Sequence, residues 1–450
     1  KQTQPDESDP TSFPTFIHPT SAEMEGPLLS VVADCPRTRY MSSTYDTQCD
    51  HRREYVRKRA ELLLDFYSIQ WHKQTQPDET EDVISVAGQV LIDAESQLVV
   101  LEVMAPHAMK GRLMRVNNAA DGPATQFHLI RGGVIAVHGV ENTFQGEVYL
   151  SAKKVGISLP ATQRYTQANP PPSTGVEHTM MVAAGPFIIC DPKDKAKVAV
   201  GGIRAVCQAA REQRVDVLAL QGPLFAADVP LLSDNVRVAM GLEMDNPHNC
   251  LAALIADGVR VVITPGPEGR FCRPVMPQPA YDKKIAALLS EATLVSNPCT
   301  LEFGGARVCL ARLGLLDYAS FVPKPPIQDM YSTLCNTIIG QRSLSPVYPG
   351  VPVLDSQTEC LDIPCGWGEA VDKSGGNVSN ALRDPLPDVL VLPEFCKVDV
   401  LTKAAGVVCV NPGQVSFKHR VGTCCVIAVQ GTSVRASIVQ LRKPDQKASQ

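Results

Sequence analysis

Residues 215–225 read VDVLALQGPLF, an apolar run that stops at a Gly-Pro turn. Residues 259–269, VRVVITPGPEG, have the same arrangement. A mainly apolar run of this length between turn residues is typical of a strand that is buried on both faces. Helical periods lie between such runs, and this alternation predicts an α/β layered domain. The predicted elements are the strands Thr179–Ala184, Val215–Leu220 and Val259–Thr264 and the helices Asp194–Gln213 and Cys250–Asp257.

The last third of the chain adds further strands to this domain, which we place at residues 178–445. Gly304-Gly305 separates two apolar runs, and other Gly- and Pro-containing turns separate the rest. The predicted strands are Val389–Leu392, Val408–Val410, Cys299–Phe303 with Ala306–Leu310, and Gly422–Val429 with Ser433–Leu441. Residues 356–386 are dense in Gly, Asp, Ser and Pro, and we expect them to form a surface insertion.

The N-terminal part of the chain has a different pattern. Residues 1–35 are rich in Pro, Ser, Thr and acidic residues, which predicts a flexible leader up to residue 40, and apolar residues at three- and four-residue spacing predict a helix within 41–72. Five strand patterns in residues 81–160 suit a small closed barrel of the OB kind. They are Val83–Ile92, Gln97–Val103, Arg112–Val116, Gly133–Val140 and Glu147–Lys154. The Pro-rich residues 161–177 are predicted to be a linker.

Composition limits the class of protein. With 450 residues, of which 44% are hydrophobic, the chain can bury the cores of two or three domains. A net charge of −5 argues against a protein whose whole surface binds phosphates. No apolar run approaches the roughly 18–20 residues of a membrane-spanning helix. The fifteen cysteines include no Cys-x-x-Cys pair, which favours buried thiols in a reducing compartment over a zinc site or a disulfide scaffold.

Two features of the N-terminal part are less easily interpreted. The heptapeptide KQTQPDE occurs at residues 1–7 and again at 73–79, without matching flanks, and we have no physical account of it. The predicted helix carries a basic cluster, for which a nucleic-acid contact is one interpretation and a solvated face or an acidic partner is another. The cluster consists of Arg52, Arg53, Arg57, Lys58 and Arg59.

The residues that follow the predicted strands bear on function, because ligands of open α/β sheets bind at the carboxyl ends of the strands. Here these strand tips are Gly and Pro turns with apolar neighbours and almost no titratable side chain. The tip residues are Ala184, Gly185, Pro186, Gly222, Pro223, Gly266, Pro267, Glu268, Pro393, Asn411 and Gly413. From residue 178 on there are three histidines, His178, His248 and His419, and none follows a strand tip with an Asp two residues away.

The order of the tips resembles the calcineurin-type metallophosphoesterase fold. Catalytic members of that fold carry Asp-x-His, Gly-Asp, Gly-Asn-His, Gly-His-x-His and Asn-Pro-Gly at the five tips. In this chain the corresponding residues are Ala184–Pro186, Gly222-Pro223, Gly266-Pro267-Glu268, Leu392–Phe395 and Asn411-Pro412-Gly413, so only the last motif is present. A two-metal centre needs carboxylates and imidazoles around ions roughly 3.5–4 Å apart. The resemblance therefore implies an inactivated phosphoesterase α/β sandwich with no catalytic residue, metal or cofactor.

An inactivated domain of this kind behind an OB barrel resembles the B subunits of the eukaryotic replicative DNA polymerases. Stretches similar to that family follow its order over about residues 40–440. They include Gly185-Pro186-Phe187, Asp216–Phe225, Arg273–Pro279, Val295–Cys299, Gln341–Pro349 and Val408–Gly413. Within the family the similarity is greatest to the B subunits of DNA polymerase alpha–primase, followed by those of delta and epsilon. The chain departs from the alpha subunits in its long insertion and in showing no extra N-terminal helical domain.

The resemblance implies a non-catalytic scaffold in the nucleus that supports primer synthesis at the initiation of DNA replication. Its implied partner is the C-terminal domain of the catalytic subunit of DNA polymerase alpha, gripped between the barrel and the phosphoesterase-like domain. The primase subunits would be reached through the complex, and no membrane is involved. Candidates for this contact on exposed loops are Phe225, Phe271 and Arg273–Pro279, and local packing is an equally good interpretation of each.

Two other functions remain as alternatives. A single-stranded-DNA-binding barrel would combine a basic groove with stacking aromatic residues. Residues 81–154 carry six basic, eight acidic and three aromatic residues, so we expect nucleic-acid contact to be weak or indirect. An active phosphoesterase, the least favoured alternative, would need donors from elsewhere, such as Asp191, Asp228 or Glu268. The first two lie several residues past their strand tips, where capping is the commoner role.

Overall fold

The computed structural model of the protein describes residues 28–33, 45–74, 83–92, 99–117, 129–144, 147–158, 176–190, 198–227, 229, 251–267, 276–281, 291–315, 321–322, 329–344, 386–394, 400–417, 420–431 and 433–442. The predicted linker and insertion lie outside these residues except for 176–177 and 386. Both copies of the heptapeptide do so as well, apart from Lys73 and Gln74, which end a helix.

The N-terminal elements form a five-stranded barrel and a helix. In chain order they are β1 (Leu29–Ala33), α1 (Tyr45–Gln74), β2 (Val83–Ile92), β3 (Val99–Ala105), a 3-10 turn (His107–Met109), β4 (Leu113–Asn117), β5 (Leu129–Ile130), β6 (Val134–Phe144) and β7 (Glu147–Gly156). The barrel closes in the order β2-β3-β4-β7-β6, which confirms the predicted closed barrel. Bulges at Gly88 and Gly139 bend β2 and β6. A side chain at either glycine would collide with a carbonyl oxygen of the adjacent strand, so both bends require glycine.

Helix α1 packs against the outside of the barrel through one apolar stripe. Val56, Ala60, Leu63 and Trp71 are buried at helical spacing against residues of β2, β3 and β6. Tyr67 stacks on Trp71 with ring centroids 5.2 Å apart, and its hydroxyl donates a hydrogen bond to the Ser158 carbonyl at 2.6 Å. No helix within the described part of the chain combines the length and apolar character that crossing a membrane requires.

The C-terminal elements form two six-stranded sheets with helices outside them. In chain order they are β8 (His178–Ala184), β9 (Ile189–Cys190), β10 (Val198–Ala199), α2 (Gly201–Glu212), β11 (Val217–Gln221), α3 (Leu251–Ala256), β12 (Arg260–Thr264), β13 (Thr293–Leu294), β14 (Cys299–Phe303), β15 (Ala306–Leu310), β16 (Phe321–Val322), α4 (Met330–Gln341), β17 (Val389–Val391), β18 (Val400–Ala404), β19 (Val407–Asn411), β20 (Ser416–Phe417), β21 (Arg420–Val421), β22 (Thr423–Gln430) and β23 (Ser433–Gln440).

The first sheet has the order β13-β12-β11-β8-β22-β23, and the second has the order β1-β14-β15-β17-β19-β18. β8, β11, β12 and β13 are parallel to one another, as are β15, β17 and β19. Alternate residues of both sheets, such as Val182 and Val308, form a shared core between the sheets. Leu218 faces α2 and α3 on one outer face, and Leu390 faces α4 on the other. The result is a four-layer α/β/β/α sandwich, which agrees with the predicted layered domain.

The structure differs from the prediction at two places in these elements. Leu29–Ala33, predicted to be part of a flexible leader, forms the edge strand β1, because Leu29 is buried in the core between the sheets. Helix α2 begins at Gly201 rather than Asp194, because Val198–Ala199 pair with Ile189–Cys190 as a short antiparallel ladder. The eight cysteines that the structure describes in detail are buried.

Candidate functional site at the carboxyl edge of the sheets

The carboxyl ends of the parallel strands come together at one edge of the sandwich. Ala184, Gln221 and Thr264 are the last residues of β8, β11 and β12, and they lie side by side in register. In the second sheet, β17 runs into Pro393 and β19 ends at Asn411. The structure therefore brings the predicted tip residues to one edge, as the order of the strands implied. Glu268, Asp191 and Asp228 lie outside the described residues.

The first three tips pack backbone against backbone. The Gly185 N–H donates to the Gln221 carbonyl and the Gly222 N–H donates to the Thr264 carbonyl, both at 2.8 Å. A Cβ atom on Gly185 would collide with the Pro223 carbonyl oxygen, and one on Gly266 would collide with the Gly222 carbonyl oxygen. Only glycine allows this close approach, which explains the Gly-Pro composition of the tips.

A buried arginine lies beside these tips. Arg312 follows β15, is 2% exposed, and donates from Nη1 to the Gly185 carbonyl at 2.8 Å. The same atom lies 3.5 Å from the Gln221 carbonyl oxygen. A guanidinium group is a strong donor to main-chain carbonyls and stays charged when buried. Arg312 therefore joins the edge of the second sheet to the ends of β8 and β11. The sequence signal that could have revealed it is a single arginine inside the apolar run 308–316.

Asn297 holds the main chain of Arg312 in place. The Asn297 Oδ1 accepts from the Arg312 N–H at 2.9 Å, and its Nδ2 donates to the Arg312 carbonyl at 2.7 Å. Nδ2 also donates to Oε1 of Gln278 at 2.9 Å, while Gln278 Nε2 donates to the Gly266 carbonyl at 3.3 Å. All three residues are buried. This network, which we call the edge network, connects three strand tips through side-chain amides and one guanidinium.

Asn411 plays a similar part in the second sheet. Its Oδ1 accepts from the N–H groups of Gly413 at 3.1 Å and Glu394 at 3.3 Å, and its Nδ2 donates to the Glu394 carbonyl at 3.3 Å. The buried Glu394 carboxylate in turn accepts from the Leu315 N–H at 3.0 Å. The Asn-Pro-Gly motif therefore stabilises the turn between two tips, because both polar atoms of the Asn411 side chain bond main-chain groups there.

The ends of β11 and β12 in the first sheet carry buried polar side chains that make no hydrogen bond to the described residues. Both amide atoms of Gln221 and Oγ1 of Thr264 are buried, and among the described residues they have no hydrogen-bond partner. Burying such atoms without a partner costs stability, typically about 1–3 kcal/mol each. These two residues lie directly opposite each other in neighbouring strands. Sequence reasoning did not single out either side chain.

The donor chemistry of this edge does not fit a two-metal centre. Most of the described tip residues are Gly, Ala and Pro, whose side chains carry no ligand atom, and the Asn411 and Glu394 side chains bond main-chain N–H groups. Arg312 adds a positive charge that would repel a cation. Within the described ranges, no group of three or more His, Cys, Asp and Glu side chains could hold a metal ion. His178 begins β8 and thus lies at the opposite end of that strand, 3.8 Å from an Asp216 oxygen.

The structure decides between exposure and local packing for one predicted contact residue. For Phe225 the alternative of local packing is the correct one, since its side chain is buried in the core between the first sheet and its helices. The described part of the Arg273–Pro279 segment is also largely buried, since Met276 and Gln278 pack inside the sandwich. Phe271 lies outside the described residues. Apolar side chains next to a tight turn are pulled into the adjacent core, which removes Phe225 from the candidate docking surface.

Comparison with known structures gives distant similarities. TT1561 of Thermus thermophilus is 11% identical, with a TM-score of 0.29, over 59% of this chain and 100% of that one. Vps29 of Chaetomium thermophilum is 10% identical, with a TM-score of 0.24, over 60% of this chain and 98% of that one. The same values are found for that Vps29 bound to a cyclic peptide. No curated protein matches the chain.

The family comparison covers most of the sandwich. Residues 180–398 match the family of the B subunits of DNA polymerases alpha and epsilon. This range begins in β8 and extends past β17, and so it includes the edge network. The description of the family names alpha and epsilon together, so the match does not distinguish the two polymerases. The part of the sandwich that contains the edge network is therefore similar to the B subunits of DNA polymerases alpha and epsilon.

Proposed function

We propose that the chain is the non-catalytic scaffold subunit of DNA polymerase alpha–primase in the nucleus. It would bind the C-terminal domain of the catalytic subunit and thereby hold polymerase and primase together for primer synthesis. A permanent interface of this kind typically buries roughly 2,000 Å² or more. The barrel, proposed to be an OB fold, and the inactivated phosphoesterase-like sandwich would supply that surface together.

The edge network is the observation that supports this proposal most directly. In an α/β enzyme the carboxyl ends of the strands carry reactive groups open to substrate. Here the equivalent positions are glycines packed on glycines, with Arg312 and Asn297 hydrogen-bonded to main-chain groups. These side chains stabilise the edge of the sheets and leave the outer surface for contacts with a partner.

Capture by candidate polymerase domains tests the proposal. The full chain would be mixed with the purified C-terminal domains of the catalytic subunits of polymerases alpha, delta and epsilon. We expect the alpha domain to form a complex that survives size-exclusion chromatography. Capture by the epsilon or delta domain alone would favour the alternative polymerase, and capture by none would overturn the proposal.

A hydrolysis assay separates the proposal from an active phosphoesterase. With Mn²⁺ present, the purified chain should not hydrolyse a generic phosphodiester above the buffer rate. Hydrolysis that disappears in Glu268→Ala would contradict the proposal, because it would show that donors outside the described tips assemble a working centre. Hydrolysis that persists in this variant would indicate a contaminating enzyme and would be resolved by repurification.

A further inference from the structure

The stretch Gln341-Arg342-Ser343 ends helix α4, and neither the edge network nor the proposed docking role accounts for it. The side chain of Gln341 reaches the barrel, more than two hundred residues earlier in the chain. Its Nε2 donates to the Val134 carbonyl at 3.1 Å, and its Oε1 accepts from the Val134 N–H at 3.2 Å. Exchange of two hydrogen bonds with one residue is the pattern of a paired residue in an antiparallel sheet. The side chain thus extends the ladder of β6 as a neighbouring strand would.

The packing around Gln341 leaves little freedom. Gln341 is buried, and a Cβ atom on Gly133 would lie 2.9 Å from its Nε2. One helical position earlier, a Cβ on Gly340 would collide with the Ser158 hydroxyl at the end of the barrel. Small residues at 133 and 340 therefore let the end of α4 approach the barrel closely.

Arg59 makes a second connection at the same helix end. Arg59 belongs to α1, is buried, and donates from Nη2 to the Arg342 carbonyl at 3.0 Å. Arg342 caps α4 with a left-handed backbone, at φ 51°, and its side chain is also buried. The last carbonyls of a helix lack intrahelical partners and carry the negative end of the helix dipole, so a cation is favourable there. Arg59, a member of the basic cluster, thus makes a contact inside the protein and does not contribute its charge to an exposed surface.

A short sheet completes the junction. β5, between barrel strands β4 and β6 in the chain, pairs antiparallel with β16, between β15 and α4, through Ile130 with Phe321 and Leu129 with Val322. Ile130 is buried in the core that also contains residues of α4. The two domains are therefore joined at one place by three kinds of contact. These are the main-chain pairing of β5 with β16, the hydrogen bonds between Gln341 and Val134, and the bond from Arg59 to the Arg342 carbonyl.

We infer that Gln341, Arg342 and Arg59 form a latch that fixes the barrel on the sandwich, so that the two domains present one rigid docking surface. Gln341 and Arg59 are positioning residues, since they act through the orientation of the domains. The inference rests on the proposed function only where it concerns docking. The orientation itself can be measured without a partner.

The test uses the full chain with Gln341→Glu and Gln341→Ala. Gln341→Glu removes the donor to the Val134 carbonyl and places a carboxylate against that oxygen, while Gln341→Ala removes both bonds. The matched control is Gln208→Glu on α2, where the amide donates to Glu212 one turn later in the same helix. Arg59→Gln serves as a second route to the same latch, in case Gln341→Glu fails to fold.

Hydrogen exchange and X-ray scattering give the primary readouts. In Gln341→Ala the Val134 amide should exchange about three- to tenfold faster, because its hydrogen bond to Oε1 is lost, whereas Gln341→Glu keeps an acceptor for this amide. Amides in the barrel and sandwich cores should keep their protection, and the scattering profile should show a broader range of distances between the domains. Unchanged exchange at Val134 in Gln341→Ala, or an unchanged scattering profile in both the Gln341 and Arg59 variants, would overturn the latch.

Partner capture then separates the two proposals. If the unmodified chain binds none of the polymerase domains, the proposed function is contradicted. The hydrogen-exchange result at Val134 does not depend on a partner and still decides whether the latch exists. If the unmodified chain binds, we expect the Gln341 variants to bind at least tenfold more weakly while the Gln208 control binds normally. Equal binding by an opened latch would contradict the single rigid docking surface.

Discussion

Arg312 shows how one residue can determine the character of a strand edge. The ends of β8 and β11 present carbonyl oxygens, and a guanidinium group beside them satisfies these acceptors while adding a positive charge. The Asn297 side chain makes two hydrogen bonds to the main chain of Arg312. These bonds fix the position of Arg312 and leave its guanidinium group available for the strand-end carbonyls. The chemistry of the edge follows from this arrangement, since Arg312 donates hydrogen bonds to carbonyl oxygens and its positive charge disfavours a cation beside them.

The first prediction concerns the removal of this charge. Arg312→Met should lower the free energy of unfolding by about 2–3 kcal/mol, because the Gly185 carbonyl loses a charged donor in a buried site. Urea unfolding followed by circular dichroism measures this change. Arg435→Met is the matched control, because Arg435 is a surface residue paired with Glu177 and should change stability by less than about 1 kcal/mol. Equal effects of the two variants would contradict the structural role of Arg312.

The buried thiols give a prediction about alkaline pH. Burial raises the pKa of Cys309 and of Cys424 from 9.0 to about 12. Between these values the unfolded chain has released protons that the folded chain still holds, so the free energy of unfolding falls as the pH rises. Below about pH 8 this contribution is fully present.

Urea titrations under reducing conditions test this dependence. From about pH 9 upwards, each such thiol should add roughly 1.4 kcal/mol of lost stability per pH unit. Cys424→Ala should reduce the slope by that amount and leave the contribution of Cys309 in place. An identical slope in the variant and the unmodified chain would show that Cys424 titrates normally in the folded state.

At the scale of the elements, β1 is an edge strand whose contribution comes mainly from one side chain. It pairs antiparallel with β14, with a bulge between Val31 and Ala33, and Leu29 is 2% exposed in the core between the sheets. Leu29→Ala should lower the free energy of unfolding by about 2–3 kcal/mol, because it removes buried methyl groups. Leu113→Ala is the control: Leu113 is 61% exposed on the barrel and should change stability by less than about 0.5 kcal/mol. Similar urea midpoints for the two variants would show that β1 is not part of the folded core.

Some elements were predictable because their signals are local. Val83–Ile92 was predicted with both bounds correct, as was the hairpin of β14 and β15, where Gly304-Gly305 marks the turn. β1 was missed because its pattern is short and follows a Pro- and Ser-rich leader, and its stability depends on β14, more than two hundred residues away. The two-residue strands β5 and β16 have no sequence signal of their own and form only through each other.

The residues of the candidate site likewise fall into two groups, those that the sequence could identify and those that it could not. The tip glycines could be identified from the sequence, because each follows an apolar strand directly. Arg312 and Gln278 could not, since their partners are main-chain carbonyls on strands that only the tertiary fold brings near. For Phe225 the sequence left exposure and local packing open, and the structure buries the side chain, with a main-chain bridge between residues 225 and 188.

At the scale of the whole molecule, charge and its placement decide what kind of partner the chain can attract. The net charge is −5, and the basic cluster of α1 is partly used inside the protein. Arg57 forms ion pairs with Glu54 and Glu61, one turn before and after it, and Arg59 is buried against Arg342. Arg53 and Lys58 are exposed. A nucleic-acid groove needs several uncompensated cations, because affinity for phosphates comes from the counterions they release.

The last prediction follows from this distribution of charge. Fluorescence anisotropy with a labelled single-stranded oligonucleotide at physiological salt should show only weak binding, with a dissociation constant above about 10 µM, as for non-specific contacts. The double variant Arg57→Ala, Lys58→Ala should bind equally weakly, because Arg57 is already neutralised by two glutamates in its own helix. Tight binding that this double variant abolishes would instead make α1 a nucleic-acid contact. In that case the outer face of the helix, and not the surface shared by barrel and sandwich, would be the first place to look for function.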